Sequence, residues 1–170
     1  MADILDIVEW EHPTLKQVAA PVADSEFGPQ LEAFGAQLIA TMLANANGVG
    51  LAAPQVDVSK RVFVMRFPDH GDLKPIVVVN PAVELSGKTL HEREGCLSFP
   101  GIYEWVARSE IAVMTYREPL HGEWQEYILT GWDARVAQHE LDHLNGIMFF
   151  DRLVSQLRKK VLKRWAKDRG

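Results

Sequence analysis

The stretch WDARVAQHELDHLNG, residues 132–146, decides the fold that the sequence predicts. Trp132, Val136, His139 and His143 recur at helical spacing and share one face, and the Asn-Gly pair at 145–146 can end a helix. The stretch follows a middle region rich in strand-forming residues. Because the strands and this helix are segregated along the chain, their order favours an α+β fold over a wound α/β fold.

The segments around this central helix supply the other predicted elements. An amphipathic pattern from Leu31 to Leu43 predicts an N-terminal helix that ends near Gly48, where glycine can serve as a left-handed cap. A C-terminal helix is predicted from about residue 152 to 167. Two segments rich in Val, Ile and Phe are predicted strands, 61–67 and 75–80, and further strands are predicted at 103–106, 111–116 and 123–129. We therefore expect one domain, residues 1–170, in which mixed or antiparallel β-sheets pack around the central helix.

Composition limits the class of protein. The chain has 170 residues, a formal net charge of -5 and 47% hydrophobic residues, which is typical of a globular protein and does not indicate DNA binding. No stretch approaches the roughly 20 apolar residues of a membrane span, and the N-terminus does not read as a signal peptide. Cys96 is the one cysteine, so an intramolecular disulfide is excluded and a reducing cytoplasm is expected.

Positive charge is concentrated at the C-terminal end. Residues 151–170 hold eight Lys or Arg and two Asp. This pattern predicts a local interaction surface on the last helix, although a solvated helix face explains it nearly as well.

The run from His139 to His143 has the pattern H-E-x-x-H and predicts metal-dependent hydrolysis. On a helix, residues four apart lie one turn apart on the same face, so the two imidazoles can ligate one ion. Glu140 lies close enough to take a proton from a water that the ion activates. The pattern is short and can arise by chance on a polar helix. Burying two histidines and a glutamate together without a metal would nevertheless be costly.

A catalytic metal site needs a third protein ligand and an open position. The candidates are Cys96, Asp142, another histidine or a distant glutamate, and Cys96 is the strongest. It lies in the segment EGCLS, residues 94–98, where Gly95 lets the backbone approach closely. A thiolate softens the metal, so ferrous iron and zinc both suit a Cys-His-His set.

A third segment, GVGLAAPQ at residues 48–55, is rich in small residues that let a substrate backbone lie close. Taken alone, this segment is explained more simply as a helix cap followed by a turn. Taken together, the three segments resemble the peptide deformylase family, which carries GxGLAAPQ, EGCLS and QHExDHLxG in this order. Here the motifs are residues 48–55, 94–98 and 138–146, all complete, and the resemblance spans most of the chain.

The resemblance implies a metal-dependent hydrolase that removes the N-formyl group from the N-terminal methionine of nascent polypeptides and releases formate. Cys96, His139 and His143 would bind one divalent ion, Fe(II) physiologically, with Zn(II), Ni(II) or Co(II) as replacements. Glu140 would be the general base and then the acid that protonates the leaving amine.

The resemblance also assigns the groups that would contact the substrate. The Gln55 side-chain amide and the Leu97 backbone N–H would stabilise the oxyanion. Four further residues would contact the substrate backbone or the methionine side chain: Val49, Gly50, Trp132 and Val136. Tyr103 departs from the pattern, because many bacterial members carry a basic residue near this position, so contacts beyond methionine are not carried over.

Two further interpretations follow from the same residues. An H-E-x-x-H metallopeptidase that cleaves internal peptide bonds is the alternative function. It is disfavoured because such enzymes usually take their third ligand from a downstream His or Glu, whereas Cys96 lies upstream. The basic C-terminal helix suggests a contact with ribosomal RNA near the exit of the nascent chain.

Overall fold

Five strands follow one another along the chain and pair in that same order in one antiparallel sheet. The structure, a computed structural model, describes residues 2–170. The strands are β1 Gly50–Ala52, β2 Val62–Met65, β3 Ile76–Cys96, β4 Phe99–Arg117 and β5 Trp124–Thr130. Within residues 2–170 the sheet has no parallel strand pair, and an isolated parallel bridge joins Ala20 to Lys60. The sequence predicts mixed or antiparallel sheets. The antiparallel pairing is confirmed, and the strands form one sheet rather than several.

Three α-helices surround the sheet: α1 Pro29–Leu43, α2 Gly131–Leu144 and α3 Ser155–Arg169. Short 3-10 turns occur at Pro13–Lys16, Asp24–Glu26, Ala53–Val56 and Phe149–Arg152. The central helix α2 ends as the sequence predicts. Gly146 has φ +72°, and the Ile147 and Gly146 N–H groups donate to the carbonyls of Asp142 and His143, which is a Schellman cap.

Strand β2 explains how the helices are arranged, because both of its faces are buried. Val62 and Val64 pack in a cluster with residues of α1, whereas Phe63 and Met65 pack in a cluster with residues of α2. Side chains of a strand alternate between its two faces, so a continuous apolar run places one helix on each side. The helix that carries the H-E-x-x-H motif is therefore held against the inner face of the sheet.

Helix α3 is anchored by a separate aromatic cluster. Phe99 of β4 stacks on Trp165 of α3 with ring centroids 4.3 Å apart, and Phe149 and Phe150 complete the cluster. Burial of such large rings contributes most of the packing energy of a small cluster. Within residues 2–170, no helix has the length and apolar character needed to cross a membrane.

The predicted strands were too short in the middle of the chain. β3 was predicted to end at residue 80 but runs to Cys96, and the two strands predicted at 103–106 and 111–116 are one strand, β4. Most side chains from residue 84 to 93 are exposed, so the apolar alternation that marks a strand is missing there. The pairing of β3 with β4 contains three register shifts, the last of them between Glu94 and Cys96.

The predicted left-handed cap at Gly48 was wrong. Helix α1 ends at Leu43, and its cap residue Ala44 is right-handed with φ -70°. The turn after α1 brings the Met42 carbonyl against the α-carbon of Gly48, where a Cβ would collide with the carbonyl oxygen. Glycine is required at residue 48 by this close approach of two backbone segments.

Candidate metal centre

Cys96, His139 and His143 meet where the end of β3 faces the C-terminal half of α2. The Cys96 Sγ lies 3.3 Å from the His143 Nε2, and one ligand atom from each of the three residues lies within 4.8 Å of the others. The two histidines are one turn apart on α2, as the sequence predicts. Cys96 reaches them because the antiparallel β3–β4 hairpin turns back at Leu97 and Ser98.

This donor set fits a single metal ion. Zn–S and Zn–N bonds of about 2.3 and 2.0–2.1 Å in tetrahedral geometry place the two ligand atoms roughly 3.6 Å apart. The observed spacing of the three donors is compatible with that arrangement. Asp142, which was a candidate ligand, points away from the three donors and accepts hydrogen bonds from Arg108 and Arg152 instead. The expectation that Cys96 is the third donor is thus supported by geometry.

The protonation of the two imidazoles reflects the charge around them. Burial lowers the pKa of His139, but hydrogen bonds to Cys96 and Glu94 outweigh burial and hold this pKa well above its ordinary value. Burial and the positive charges of His139 and Arg108 hold the pKa of His143 well below its ordinary value. A neutral His143 keeps an unprotonated ring nitrogen, which is the form in which an imidazole binds a metal ion.

Glu140 is buried beside this group without a full set of partners. Burial raises the pKa of its carboxyl to about 7. Within residues 2–170, the Glu140 Oε2 and the His143 Nδ1 are buried without a hydrogen-bond partner. A Cβ at Gly50 would lie 2.5 Å from the Glu140 Oε1, so glycine at the edge strand β1 leaves the room that this carboxyl occupies. A buried carboxyl with an unused oxygen is available for proton transfer.

Gln55 is held so that its amide nitrogen faces the same space. Its Oε1 accepts a hydrogen bond from the Ala52 N–H at 2.9 Å. Its Nε2 donates to the Ser98 Oγ at 3.1 Å and lies 3.5 Å from the Cys96 Sγ. These contacts fix which end of the amide is the donor. The 3-10 turn Ala53–Val56, which follows β1 directly, supplies this position.

A buried ionic network lies behind the three candidate donors and was not foreseen from the sequence. The Glu94 carboxylate accepts hydrogen bonds from the His139 Nδ1 at 2.8 Å, from Arg108 at 2.9 Å and from Arg135 at 2.6 Å. Arg108 also donates to Asp142 at 2.6 Å. Because Glu94 accepts from Nδ1, His139 presents its Nε2 toward Cys96, which is how outer residues usually orient a metal-binding imidazole.

The negative charge of the Glu94 carboxylate is strongly stabilised by this network. Burial raises the pKa of Glu94, but hydrogen bonds from Arg108 and His139 outweigh burial and hold this pKa well below its ordinary value. Glu94 and Arg108 are 14 residues apart in sequence, and only the register of β3 against β4 brings them together. The one sequence signal was the glutamate two residues before Cys96, next to a glycine.

A cleft of about 530 Å³ opens onto Cys96, His139 and Glu140. Its volume lies in the range of about 300–1,000 Å³ that is usual for small-molecule sites. Leu97 lines the cleft beside Cys96. The four residues expected to contact the substrate also line it: Val49, Gly50, Trp132 and Val136.

Comparisons with known proteins identify the family of this chain. A family model described as polypeptide deformylase matches residues 4–159. Peptide deformylase of Desulforudis audaxviator is 40% identical over 159 residues, which cover 92% of this chain and 98% of that protein. Peptide deformylase of Thermotoga maritima is 42% identical over 155 residues, which cover 88% of this chain and 90% of that protein.

Solved structures show the same fold. A peptide deformylase from Legionella pneumophila superposes with a TM-score of 0.87 at 34% identity, covering 98% of this chain and 96% of that one. A Met-Ala-Ser-bound class I type b peptide deformylase from Acinetobacter baumannii superposes with a TM-score of 0.80 at 39% identity, covering 90% of this chain and all of that one. The chain described here thus belongs to the polypeptide deformylase family and is an enzyme of the hydrolase class.

Proposed function

We propose that this enzyme removes the formyl group from the N-terminal methionine of newly synthesised polypeptides and releases formate. The observation that carries the proposal is the group of Cys96, His139 and His143, of which the first two line the cleft together with Glu140. We propose that this group holds one divalent ion, Fe(II) in the cell, with Zn(II), Ni(II) or Co(II) as replacements. When bound, such an ion would supply Lewis acidity, which polarises a carbonyl and lowers the pKa of water.

The chain's own residues would carry out the proton transfers. Glu140 would take a proton from the attacking water and give it to the amine that leaves. Its raised pKa, about 7, suits both directions of transfer near neutral pH. Negative charge develops on the former carbonyl oxygen as the water adds. The Gln55 Nε2 and the Leu97 backbone N–H would stabilise that charge, and one such donor is typically worth about 2.7–4 kcal/mol.

The cleft would select methionine. Val49, Val136 and Trp132 line an apolar wall, and Gly50 lets the peptide backbone lie close to Glu140. A missing methylene in such a pocket typically costs about 1–3 kcal/mol in transition-state binding. Because Cys96 would bind metal as a reduced thiolate, we also propose a reducing compartment, the cytoplasm, as the place of action.

A formate-release assay tests the function against the metallopeptidase alternative. The protein is purified without oxygen, its metal is analysed, and it is incubated with formyl-Met-Ala-Ser and with N-terminally blocked peptides that have only internal bonds to cleave. We expect formate from the first substrate and no new peptide fragments from the second. Internal cleavage without formate would favour a metallopeptidase. The metallopeptidase alternative is disfavoured by the third donor. Such enzymes usually use a downstream His or Glu, whereas the third donor here is Cys96, which lies upstream on β3.

The basic helix α3 supports a second proposal, contact with ribosomal RNA near the nascent-chain exit. Val161 and Trp165 hold α3 to the body of the protein, which leaves a row of exposed lysines outside. Four lysines of this row make no ion pair within residues 2–170: Lys159, Lys160, Lys163 and Lys167. Such a patch suits phosphate contacts, whose strength falls steeply with salt.

Sedimentation with ribosomes tests this contact. The variant with Lys160→Glu and Lys163→Glu should lose salt-sensitive co-sedimentation and keep formate release. A matched control changes two exposed lysines elsewhere, Lys74→Glu and Lys88→Glu, and should sediment like the unchanged chain. Equal sedimentation of both variants would rule out α3 as the contact.

A further inference from the structure

Part of the cleft lining comes from residues of the β3–β4 hairpin other than Cys96. We call this part the outer wall and define it as Arg93, Gly95, Pro100, Gly101 and Tyr103, all of which line the cleft. Arg93 and Gly95 belong to β3, and the other three belong to the start of β4. The outer wall joins a cation and an aromatic ring in the same cleft that Cys96 lines.

Tyr103 has a fixed place in this wall. Its side chain remains 46% exposed, yet its ring lies over Gly95, where a Cβ would collide with the ring carbons. The Arg93 guanidinium lies 5.7 Å from the centre of the same ring, within the distance of a cation–π contact. Tyr103 therefore supports the guanidinium from one side.

Arg93 is an exposed cation that has no anionic partner in the structure. It makes no ion pair within residues 2–170, and the carboxylates of Glu94 and Glu104 are paired with other arginines. Glu94 is buried with Arg108 and Arg135, and Glu104 pairs with Arg164. The residue opposite Arg93 in the sheet register is Trp105, which is 57% exposed. The guanidinium is thus held beside aromatic groups while its charge is available to a ligand.

We propose that Arg93 and Tyr103 read the residues that follow methionine in the substrate and favour an acidic side chain there. The inference rests on the proposed deformylase function and adds a sequence preference to it. An exposed ion pair of this kind is typically worth about a two- to fivefold change in affinity. Tyr103 acts by positioning the guanidinium and by contacting the peptide with its ring.

The distance between Arg93 and Cys96 along β3 indicates which substrate residue Arg93 would contact. Arg93 precedes Cys96 by three residues, which is about 10 Å along an extended strand. We take the substrate to bind as an extended peptide that runs along β3 toward Arg93, with its formyl group at Cys96. Such a peptide covers that distance with its first three residues. The acidic preference should therefore fall on the second or third residue, with methionine counted as the first.

Amidated peptides test the preference, because amidation removes the terminal carboxylate that Arg93 could otherwise bind. The series is formyl-Met-Ala-Xaa-Ala-Ala-NH2 with Xaa as Glu, Gln or Lys, and matching sets that place Xaa second or fifth. We expect kcat/KM to fall in the order Glu, Gln, Lys by about two- to fivefold per step at the second or third position. No order is expected at the fifth position, which lies beyond reach of the guanidinium.

Charge reversal supplies the matched comparison. Arg93→Glu should invert the order so that Lys is favoured, and Tyr103→Ala should weaken it, whereas Tyr103→Phe should keep it. Arg66→Glu makes the same charge change at another exposed arginine outside the cleft and should leave the order as it was.

The outcomes separate this inference from the function on which it rests. If Glu, Gln and Lys peptides are deformylated equally at the second and third positions, the role of Arg93 is overturned and the deformylase function stands. If none of the formyl-methionine peptides releases formate, the proposed function is overturned together with this inference. An order that persists in Arg93→Glu would also overturn it.

Discussion

At the scale of single residues, the proposed chemistry depends on a buried carboxyl oxygen that has no hydrogen-bond partner. The Glu140 carboxyl is buried, its Oε2 is free of hydrogen bonds within residues 2–170, and its Oε1 occupies the room left by a glycine. Burial raises the pKa of this group to about 7, so the carboxyl exchanges a proton readily near neutral pH. Two substitutions test the two sides of this arrangement.

Glu140→Gln should keep the metal site and lose turnover. The amide has nearly the same shape as the carboxyl but cannot accept and return a proton, so kcat should fall about 10²–10⁴-fold. The measurement is formate release together with metal content per chain. Glu126→Gln, an exposed change on β5, is the control and should keep full activity. Full activity of Glu140→Gln would remove this residue from the proposed mechanism.

Gly50→Ala should displace the Glu140 carboxyl, because the new methyl carbon would lie 2.5 Å from its Oε1. A displacement of about 1 Å can reduce a rate about 10²-fold, and we expect a loss of that order in kcat/KM. Gly71→Ala is the matched control, since a Cβ at Gly71 meets no atom within 4 Å and its φ is not left-handed. Equal activity of the two variants would contradict the role given to Gly50.

At the scale of elements, the site is an assembly of β3, β4 and α2 held by buried charges. Glu94 of β3 receives hydrogen bonds from β4 through Arg108 and from α2 through Arg135 and His139. The network therefore fixes both the orientation of the His139 ring and the register of the β3–β4 hairpin. The loop before β3 is joined to the start of α2 by a second set of polar contacts.

Glu94→Ala should destabilise the fold more than most surface changes. It would leave Arg108 and Arg135 buried without their shared carboxylate, which typically costs about 3–5 kcal/mol. The free energy of unfolding in urea measures this loss. Glu84→Ala, an exposed glutamate on the same strand, is expected to change it by no more than about 0.5 kcal/mol. A similar small effect for both variants would show that the network adds little stability.

The contact between His70 and Asp133 should make stability depend on pH. Their side chains are 2.5 Å apart, and the hydrogen bond that the His70 imidazole donates to Asp133 raises the pKa of His70. Next to them, Asp69 accepts a hydrogen bond from the Trp132 N–H. A raised pKa in the folded state means that this stabilisation is complete below the unfolded value of about 6.5 and declines as pH rises through the folded value.

The melting temperature of His70→Gln relative to the unchanged chain tests this dependence. The deficit of the variant should be largest near pH 6 and should shrink toward pH 9. His91→Gln, an exposed histidine on β3, should show a deficit that does not follow this trend. A deficit for His70→Gln that grows with pH would contradict the sign of the linkage.

At the scale of the whole molecule, the proposed ion should stabilise the folded chain by mass action. A ligand that binds only the folded state at 100 times its Kd adds about 2.7 kcal/mol to the free energy of unfolding. We expect Co(II) or Ni(II) added to the metal-free protein to raise its melting temperature. Cys96→Ala removes one of the three donors and should show little of this rise. An equal rise in both chains would place the ion elsewhere.

Much of this architecture was predictable from local patterns. The spacing within α2 fixes where His139 and His143 point, and the Asn-Gly pair ends that helix as expected. The full length of β3 was not predictable, because its outer half is polar and exposed, and such a strand is specified by its partner rather than by its own residues. The Glu94–Arg108 pair was not predictable either. The two residues are 14 apart in the sequence and meet only because β3 pairs with β4, so no local pattern indicates their contact.

The turn at Leu97 and Ser98 begins a long segment of chain that leaves the site at Cys96 and returns to it at His143. Cys96 and His143 are 47 residues apart in sequence, and β4 and β5 lie entirely between them. An ion shared by these two residues would act as a cross-link that closes this segment into a ring, and the entropy cost of such closure grows only slowly with length. The chain inside such a ring gains less conformational entropy on unfolding than a chain with free ends. Metal binding would therefore disfavour the unfolding of β4 and β5 as well as of the site itself.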